Sequence, residues 1–313
     1  MRIVIIGAGA IGLLYGARLA LAGTDVVMLV RTAGQAELLR REGIVLIGQD
    51  GVQSAAKVDA SVIGDYEPAE NGQADWIWLA VKQAHLDETL VGRIGRISAG
   101  TAPVPVLALQ NGIGHMDALD KALQAPQLHA AVTTEGALRV DSHTVRHTGN
   151  GTLTLGRWPK NEENASKPQK MLLKTLKAAG IEASLSNGME DAVYQKLLVN
   201  AVINPLTALF GVRNGELPAD PNRLRLMQAL HEESKRILIA AGMADRQDSW
   251  ERILHICEAT GRNESSMLRD VKAGRRTEID WINGGIIGLA GKLKLPAPMN
   301  EAVYALIQTL HTN

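Results

Sequence analysis

The sequence predicts an α/β fold in two parts, an N-terminal doubly wound parallel domain over residues 1–187 and an all-helical C-terminal domain over residues 188–313. Three observations carry that prediction. The apolar run Ile3 to Ile6 leads into a glycine-rich turn and then into Ala10 to Ala22, which has helical spacing. Apolar runs of strand length recur at Asp25 to Val30, Asp75 to Val81 and Val104 to Leu109. Beyond Asn187-Gly188 almost no strand signal remains, and four or five helical segments follow.

The first strand, turn and helix carry the motif G-x-G-x-x-G at Gly7, Gly9 and Gly12. Glycines also cluster in ordinary tight turns, so the motif gains meaning from its context: a strand before it, a helix after it and a second strand ending at Val30. That is the setting of a Rossmann-type dinucleotide site. The first glycine makes the turn, the second lets backbone approach a pyrophosphate, and the third lets helix and strand pack closely. The loop Gly7, Ala8, Gly9, Ala10, Ile11 and Gly12 is therefore expected to hold the cofactor at a helix N-terminus, with Gly16 extending the small-residue face. Nineteen residues past Gly12 stands Arg31, where a carboxylate would hydrogen-bond a ribose 2'-hydroxyl. A guanidinium there forks onto a 2'-phosphate instead, which selects NADP(H) over NAD. The competing reading of Arg31 is a solvated charge that closes a strand.

Along the rest of this domain, Gln35 to Glu42 reads as a short helix ended by Gly43. Ile44 to Ile47 and Val52 to Val62 read as strands around the Asp50-Gly51 turn. Asp75 to Val81 is a buried strand with Lys82 at its carboxyl end, the end at which open parallel sheets bind ligands. Val104 to Leu109 ends in Gln110, Asn111 and Gly112. From Leu128 to Trp158 the pattern alternates with glycine breaks and suggests an antiparallel extension, and Met171 to Ala179 is a helix. In the second domain, helices are expected at about 189–210, 221–241, 248–260, 278–292 and 299–311.

Bulk properties bound the function. A chain of 313 residues suggests two domains, and 46% hydrophobic with 21% charged residues is an ordinary globular composition. Lys+Arg and Asp+Glu both number 33, so no net field recruits nucleic acid or an anionic membrane. The single cysteine, Cys257, excludes a disulfide framework and a multi-cysteine metal site, and no metal is expected; a reducing cytoplasm fits. Met1 to Ala22 resembles a signal peptide in outline, but the glycine motif and Arg18 within it mark it as structure.

Lys196, Asn200 and Asn204 recur at four-residue steps on the first helix of the second domain, and so lie on one slowly winding stripe roughly 12 Å long. Apolar residues flank the stripe on both sides. Asparagines inside a helix need partners, and Pro205 removes a donor, which kinks the helix or frees a carbonyl near Ala201. The plainer reading is a solvated lysine with asparagines that cap or bridge helices. Downstream, Asn263, Ser265, Ser266, Asp270, Glu278 and Asp280 form a polar group whose spacing alone also fits a helix start and surface charges.

Taken together, IVIIGAGAIG with Arg31, LAVK ending at Lys82, LQNG at 109–112, KLLVNAVINPLTAL at 196–209, NGEL at 214–217 and SSMLRDVKAGRRTEIDWINGG at 265–285 resemble the ketopantoate reductase family. The match runs in order over nearly the whole chain. The resemblance implies NADPH-dependent reduction of 2-dehydropantoate to pantoate, on the route to pantothenate and coenzyme A. It makes Lys196 the proton donor. Asn200, Asn204 and Asn214 become substrate contacts, Ser266 binds the substrate carboxylate with Asn263 close by, and Glu278 lies near nicotinamide and substrate hydroxyl. Lys82 and Asn111 match cofactor-cleft residues, with Asn111 also toward substrate, and Ala137 after Thr133-Thr134 matches a cofactor contact. The small-molecule partner is then a 2-oxo acid; a homodimer is admitted by the sequence but not specified.

The chemistry agrees. Hydride arriving at a carbonyl carbon builds negative charge on its oxygen, which a Lys ammonium both stabilises and protonates. An ordinary lysine, with a pKa of about 10.4, holds its proton too tightly unless the site lowers that value, and Glu278 would oppose the lowering. Three alternatives stay open: a reductase of another 2-oxo acid, a β-hydroxyacid dehydrogenase-like enzyme, and an NADP(H)-sensing regulatory protein. The last would have no use for the Lys196 stripe.

Overall fold

The computed structural model describes residues 1–68, 72–99, 103–123, 128–158 and 166–311. Two compact units emerge. One comprises Met1–Gln110 and His115–Met189, and the other comprises Asn111–Gly114 and the chain from Glu190 onward.

The first unit is built on β1 (Arg2–Ile6), β2 (Asp25–Val30), β5 (Asp59–Val62), β6 (Trp76–Leu79), β7 (Val106–Ala108), β8 (Leu128–Thr133), β11 (Leu153–Arg157) and β12 (Ala183–Leu185). They form one sheet in the order β12-β11-β8-β7-β6-β1-β2-β5, parallel except where β11 meets β8. Every residue of β6, and all of β1 but its first, is buried, as strands covered on both faces require. Chain order reverses at β1, which has β2 on one side and β6 on the other, so the turn after β1 lies at a topological switch point. Helices α1 (Ala10–Leu21), α2 (Ala33–Glu42), α3 (Glu88–Ser98), α4 (His115–Ala122) and α5 (Lys167–Ala178) complete the alternation.

A second, four-stranded sheet has the order β4-β3-β10-β9, from β3 (Ile44–Ile47), β4 (Gln53–Ala56), β9 (Gly136–Arg139) and β10 (Thr144–Gly149). Residues 52–62, expected as one strand, are two. Gln53–Ala56 pairs antiparallel with β3, whereas Asp59–Val62 pairs parallel with β2 in the other sheet. Helix α1 packs against both sheets: a Cβ on Gly16 would lie 2.9 Å from Met28 of β2 and 3.0 Å from Ile44 of β3. Polar contacts fasten the same helix. Arg18 pairs with Glu135 at 2.7 Å, Glu135 meets His147 of β10 at 2.7 Å, and the Tyr15 hydroxyl lies 2.5 Å from Thr133 Oγ1.

The second unit contains α6 (Met189–Phe210), α7 (Pro221–Ala240), α8 (Ser249–Ala259), α9 (Ser266–Lys272), α10 (Asn283–Leu293) and α11 (Pro298–Gln308). Its sequence boundaries are sharp where side chains cap them, as at Asp220, which accepts from the backbone of Asn222 and Arg223 before Pro221. Helix α10 begins at Asn283 rather than at 278, because residues 278–281 form a turn whose Trp281 carbonyl accepts from Ile113 N at 3.1 Å.

Helix α6 runs through Pro205 without a break, and the carbonyl of Ala201 thereby loses its helical donor. The Asn283 amide supplies one at 3.1 Å. Asn283 also donates to Asn300 at 3.0 Å, Asn300 donates to Glu233 at 2.9 Å, and Glu233 accepts from the backbone of Met299 and Asn300 at the start of α11. Both asparagines are fully buried. Because Asn283→Ala leaves the Ala201 carbonyl and one end of this network unsatisfied, it is expected to cost about 2 to 3 kcal/mol of stability. The urea midpoint measures it; an unchanged midpoint would mean that water replaces the amide at no cost.

Candidate active site

In the first unit the predicted cofactor residues gather at neighbouring strand ends. Ile6 of β1 is level with Leu29 of β2 and Leu79 of β6, so Arg31, the glycine loop and Lys82 follow three adjacent strands at the same edge. The glycines divide by physical cause. Gly7 has φ +108°, and a Cβ there would lie 2.8 Å from Val81. At Gly12 a Cβ would fall 2.0 Å from the Gly7 carbonyl, so α1 could not sit where it does. Gly9 differs. A Cβ there would meet only the Ala80 carbonyl, at an ordinary 3.6 Å, so nothing in this unit forbids a side chain. Gly9 is also the N-cap of α1, with no side chain bonding the first-turn N–H groups. Open space above uncapped amides, together with the dipole, fits a pyrophosphate cradle formed by Ala8, Gly9, Ala10 and Ile11. Arg31 is exposed, and Lys82 is half-buried at the start of a 3-10 turn over Gln83–His85. Ala137 stands apart from this edge, in β9 of the second sheet, with its methyl group in the hydrophobic core.

In the second unit a polar cluster surrounds Lys196. The lysine is half-buried by surface but enclosed by protein, and that burial lowers its pKa to about 8, with the Glu278 carboxylate pulling the other way. Burial therefore outweighs the carboxylate. Glu278 is buried and accepts from Asn111 Nδ2 at 3.2 Å. The segment bearing Asn111 approaches the Glu278–Trp281 turn closely: Gly112 has φ +79°, and a Cβ on it would lie 2.4 Å from the Trp281 carbonyl. Lys196, Glu278 and Asn111, far apart in sequence, are thus brought into one group.

Further along α6, Asn200 is half-buried and Asn204 buried. Thr207, one turn beyond Asn204, donates within bonding distance of the Ile203 and Asn204 carbonyls and reaches Ser265 Oγ at 2.7 Å. Ser265 in turn caps α9 by accepting from Leu268 N at 3.0 Å, which sets Ser266 at the helix start. Asn214 is buried, and its backbone N–H donates to the Asn263 carbonyl at 3.0 Å. Its orientation follows from bonding logic. The Thr260 hydroxyl gives its proton to the Ile256 carbonyl at 2.6 Å, so it can only accept from Asn214 Nδ2, at 2.8 Å. Asn214 Oδ1 is left buried with no partner among the described residues, an acceptor suited to a ligand hydroxyl.

Other members of the downstream polar group have structural tasks. Asp270 pairs with Arg275 at 3.1 Å, and Asp280 holds Arg276, Tyr304 and Gln308. Thr260 carried no local signal, whereas Thr207 does lie on the Lys196 stripe, three residues after Asn204. Among the described residues no group of three or more His, Cys, Asp or Glu can hold a metal ion, and no helix is long and apolar enough to cross a membrane.

Comparison with known proteins gives a consistent result. The family model described as "Ketopantoate reductase PanE/ApbA" matches residues 3–160, and "Ketopantoate reductase PanE/ApbA C terminal" matches residues 189–311. The 2-dehydropantoate 2-reductase of Archaeoglobus fulgidus is 31% identical over 307 residues, covering 98% of this chain and 97% of that protein. A crystal structure of a probable 2-dehydropantoate 2-reductase from Bacillus subtilis superposes with a TM-score of 0.81 at 31% identity, covering 99% of this chain and all of that one. A D-mandelate dehydrogenase solved with NADH and anilino(oxo)acetate gives a TM-score of 0.88 at 25% identity, over 99% and 98% of the two chains.

The glycine geometry separates fold from binding. Gly12→Ala is expected to lower the thermal midpoint by several degrees, since overpacking of this kind costs about 1 to 3 kcal/mol. Gly9→Ala should lower the midpoint less, only by the difference between glycine and alanine as a cap, and weaken nicotinamide dinucleotide binding about tenfold or more, because it fills the space for the pyrophosphate. Calorimetry with fluorescence titration reads both; a Gly9→Ala protein that binds normally would remove the cradle assignment.

Proposed function

The chain belongs to the ketopantoate reductase family, and from that premise we propose that it reduces 2-dehydropantoate to (R)-pantoate with NADPH, with Lys196 as the proton donor. Family membership makes it an oxidoreductase. The observation that carries the finer reading is the Lys196–Glu278 pair, a lysine brought to about pH 8 by burial beside a single carboxylate.

NADPH, when bound, supplies the hydride. The remaining work belongs to the chain. The Lys196 ammonium offers a proton to the carbonyl oxygen as charge builds there, and a pKa near 8 leaves it protonated at neutral pH yet ready to release. Glu278 keeps that pKa from falling further, and its bond from Asn111 fixes one carboxylate oxygen. Asn214 Oδ1, with no protein donor among the described residues, accepts from the substrate's 4-hydroxyl. Asn200 and Asn204 add neutral amides to the same stripe, while Ser266 and Asn263 serve the carboxylate end. The helical unit is the substrate domain in this reading, and the glycine loop, Arg31, Lys82, Asn111, Ala137 and Glu278 form the cofactor side. Selection of NADP(H) over NAD(H) rests on Arg31 in place of an acidic residue at the end of β2.

The decisive assay follows NADPH absorbance with purified protein and a panel of 2-oxo acids. Turnover with 2-dehydropantoate well above the others is expected; turnover only with another member would overturn the substrate but keep the class. Since the protonated lysine acts in reduction, kcat/KM for reduction should fall as pH rises through about 8, while oxidation of the hydroxy acid should rise. Lys196→Ala should lose about 10²-fold or more in kcat and retain NADPH binding. An unaltered pH profile in that variant would show that another group titrates.

A further inference from the structure

We propose that His85 is a third cationic arm for the ribose 2'-phosphate, acting with Arg31 and Lys82 to select the phosphorylated cofactor. The inference rests on the NADPH reading above and names a residue outside the stretches that carry the family resemblance. Its basis is where the chain places the ring. The 3-10 turn after β6 closes through a bond from His85 N to the Lys82 carbonyl at 3.0 Å, with Lys82 at its entrance and His85 at its end. Buried Gln83 anchors that turn, whereas His85 is exposed. From the other side of the glycine loop, Arg31 follows β2 at the same edge of the sheet. Three groups able to carry positive charge thus come from two strand ends that flank the cradle.

Their proximity is visible in His85 itself. Its pKa is lowered by partial burial and then by the positive charges of Arg31 and Lys82, with Asp87 acting in the opposite sense. Asp87, whose carboxylate caps α3 by accepting from Leu90 N at 2.8 Å, is the smallest of these influences and does not offset the two cations. Burial, and then Arg31 and Lys82, therefore disfavour the protonated imidazole in the free protein, and a phosphate dianion between the two cations reverses their part of that effect. His85 then takes up a proton as the ligand binds. The unphosphorylated cofactor brings no dianion to this position and gives no such uptake.

The linkage has a definite sign. A site that binds a proton together with its ligand binds more tightly as pH falls, so His85 strengthens NADPH binding toward pH 6 and leaves NADH binding unaffected. The 2'-phosphate, which itself gains a proton near pH 6, works the other way, so the comparison must be between proteins and not between pH values alone.

The test is a fluorescence titration of NADPH and NADH into the full chain and into His85→Gln and Arg31→Ala at pH 6, 7 and 8. The ratio of NADPH to NADH affinity in the unsubstituted protein should exceed that in His85→Gln by about threefold to tenfold at pH 6, the range of a charge-assisted contact at an exposed site. The two ratios should converge by pH 8. Calorimetry at pH 7 in two buffers of different ionisation enthalpy should show more proton uptake with NADPH in the unsubstituted protein than in His85→Gln. Equal ratios at pH 6 and equal uptake overturn the role of His85 while a collapse of the ratio in Arg31→Ala upholds the NADPH reading. If the unsubstituted protein shows no preference for NADPH at any pH, both fail together.

Discussion

One hydrogen bond organises the helical unit: the amide of Asn283 on the carbonyl of Ala201. Pro205 makes it necessary, because a proline inside a helix orphans the carbonyl four residues earlier, and an unsatisfied carbonyl in an apolar core costs about 1 to 3 kcal/mol. Meeting that need fixes the start of α10 against the middle of α6. Asn300 and Glu233 hold Asn283 from behind, and Glu233 also satisfies two of the first N–H groups of α11, so three helices share one buried network with α6. Ala201 lies between Lys196 and Asn204, and Asn283 follows Glu278 by five residues. The bond that repairs the proline therefore ties the start of α10, just after the turn that carries Glu278, to the stretch of α6 between Lys196 and Asn204.

This arrangement explains the choice of side chains on the stripe. A second acid beside Lys196 would raise its pKa back toward that of free lysine, and none beside it would let burial lower that pKa further. Asparagines supply donors and acceptors without either effect. Asn214 shows how such a neutral group is made specific. Thr260 is itself committed to a helix carbonyl, so it fixes which end of the amide faces inward and reserves the oxygen. Ser265 and Thr207 do the same work one step away, tying α9 to α6 so that Ser266 begins a helix beside the stripe.

Much of this was legible in the sequence, and the remainder was hidden for identifiable reasons. The glycine loop, the span 189–210 and the carbonyl freed near Ala201 all follow from local rules of spacing, propensity and proline geometry. The splitting of 52–62 does not, because a period of two reports which face a residue takes and not which strand or sheet it joins. Helix α3 carries two glycines, Gly92 and Gly95, which weaken its helical signal, although an acidic cap and an amphipathic face sustain it. The first turn expected of α10 is overridden by tertiary bonding, since the Trp281 carbonyl is taken by Ile113. Asp270 and Asp280 show the limit from the other direction. Their spacing beside Ser266 and Glu278 fitted surface charges as well as a site, and each is held by an arginine of its own neighbourhood.

The N-terminus of α1 is where stability and binding are most clearly in tension. Helices α2, α3, α5, α7 and α9 each begin with a Thr, Asp or Ser whose side chain bonds a first-turn amide. Helix α1 begins with Gly9 and, like α8, α10 and α11, has no such bond from its own N-cap side chain, a deficit relative to a good cap of a few tenths of a kcal/mol that the fold carries at a buried and central helix. Packing explains Gly7 and Gly12 fully, since any side chain there collides with Val81 or with the Gly7 carbonyl. It explains nothing about Gly9, where a serine or aspartate would fit the space and cap the helix. A capping oxygen would occupy the very amides that an anion needs, and an acidic cap would repel it. The uncapped helix is thus consistent with a position shaped by a ligand phosphate, whose charge–dipole and hydrogen-bond gain on binding offsets the stability forgone in the free protein.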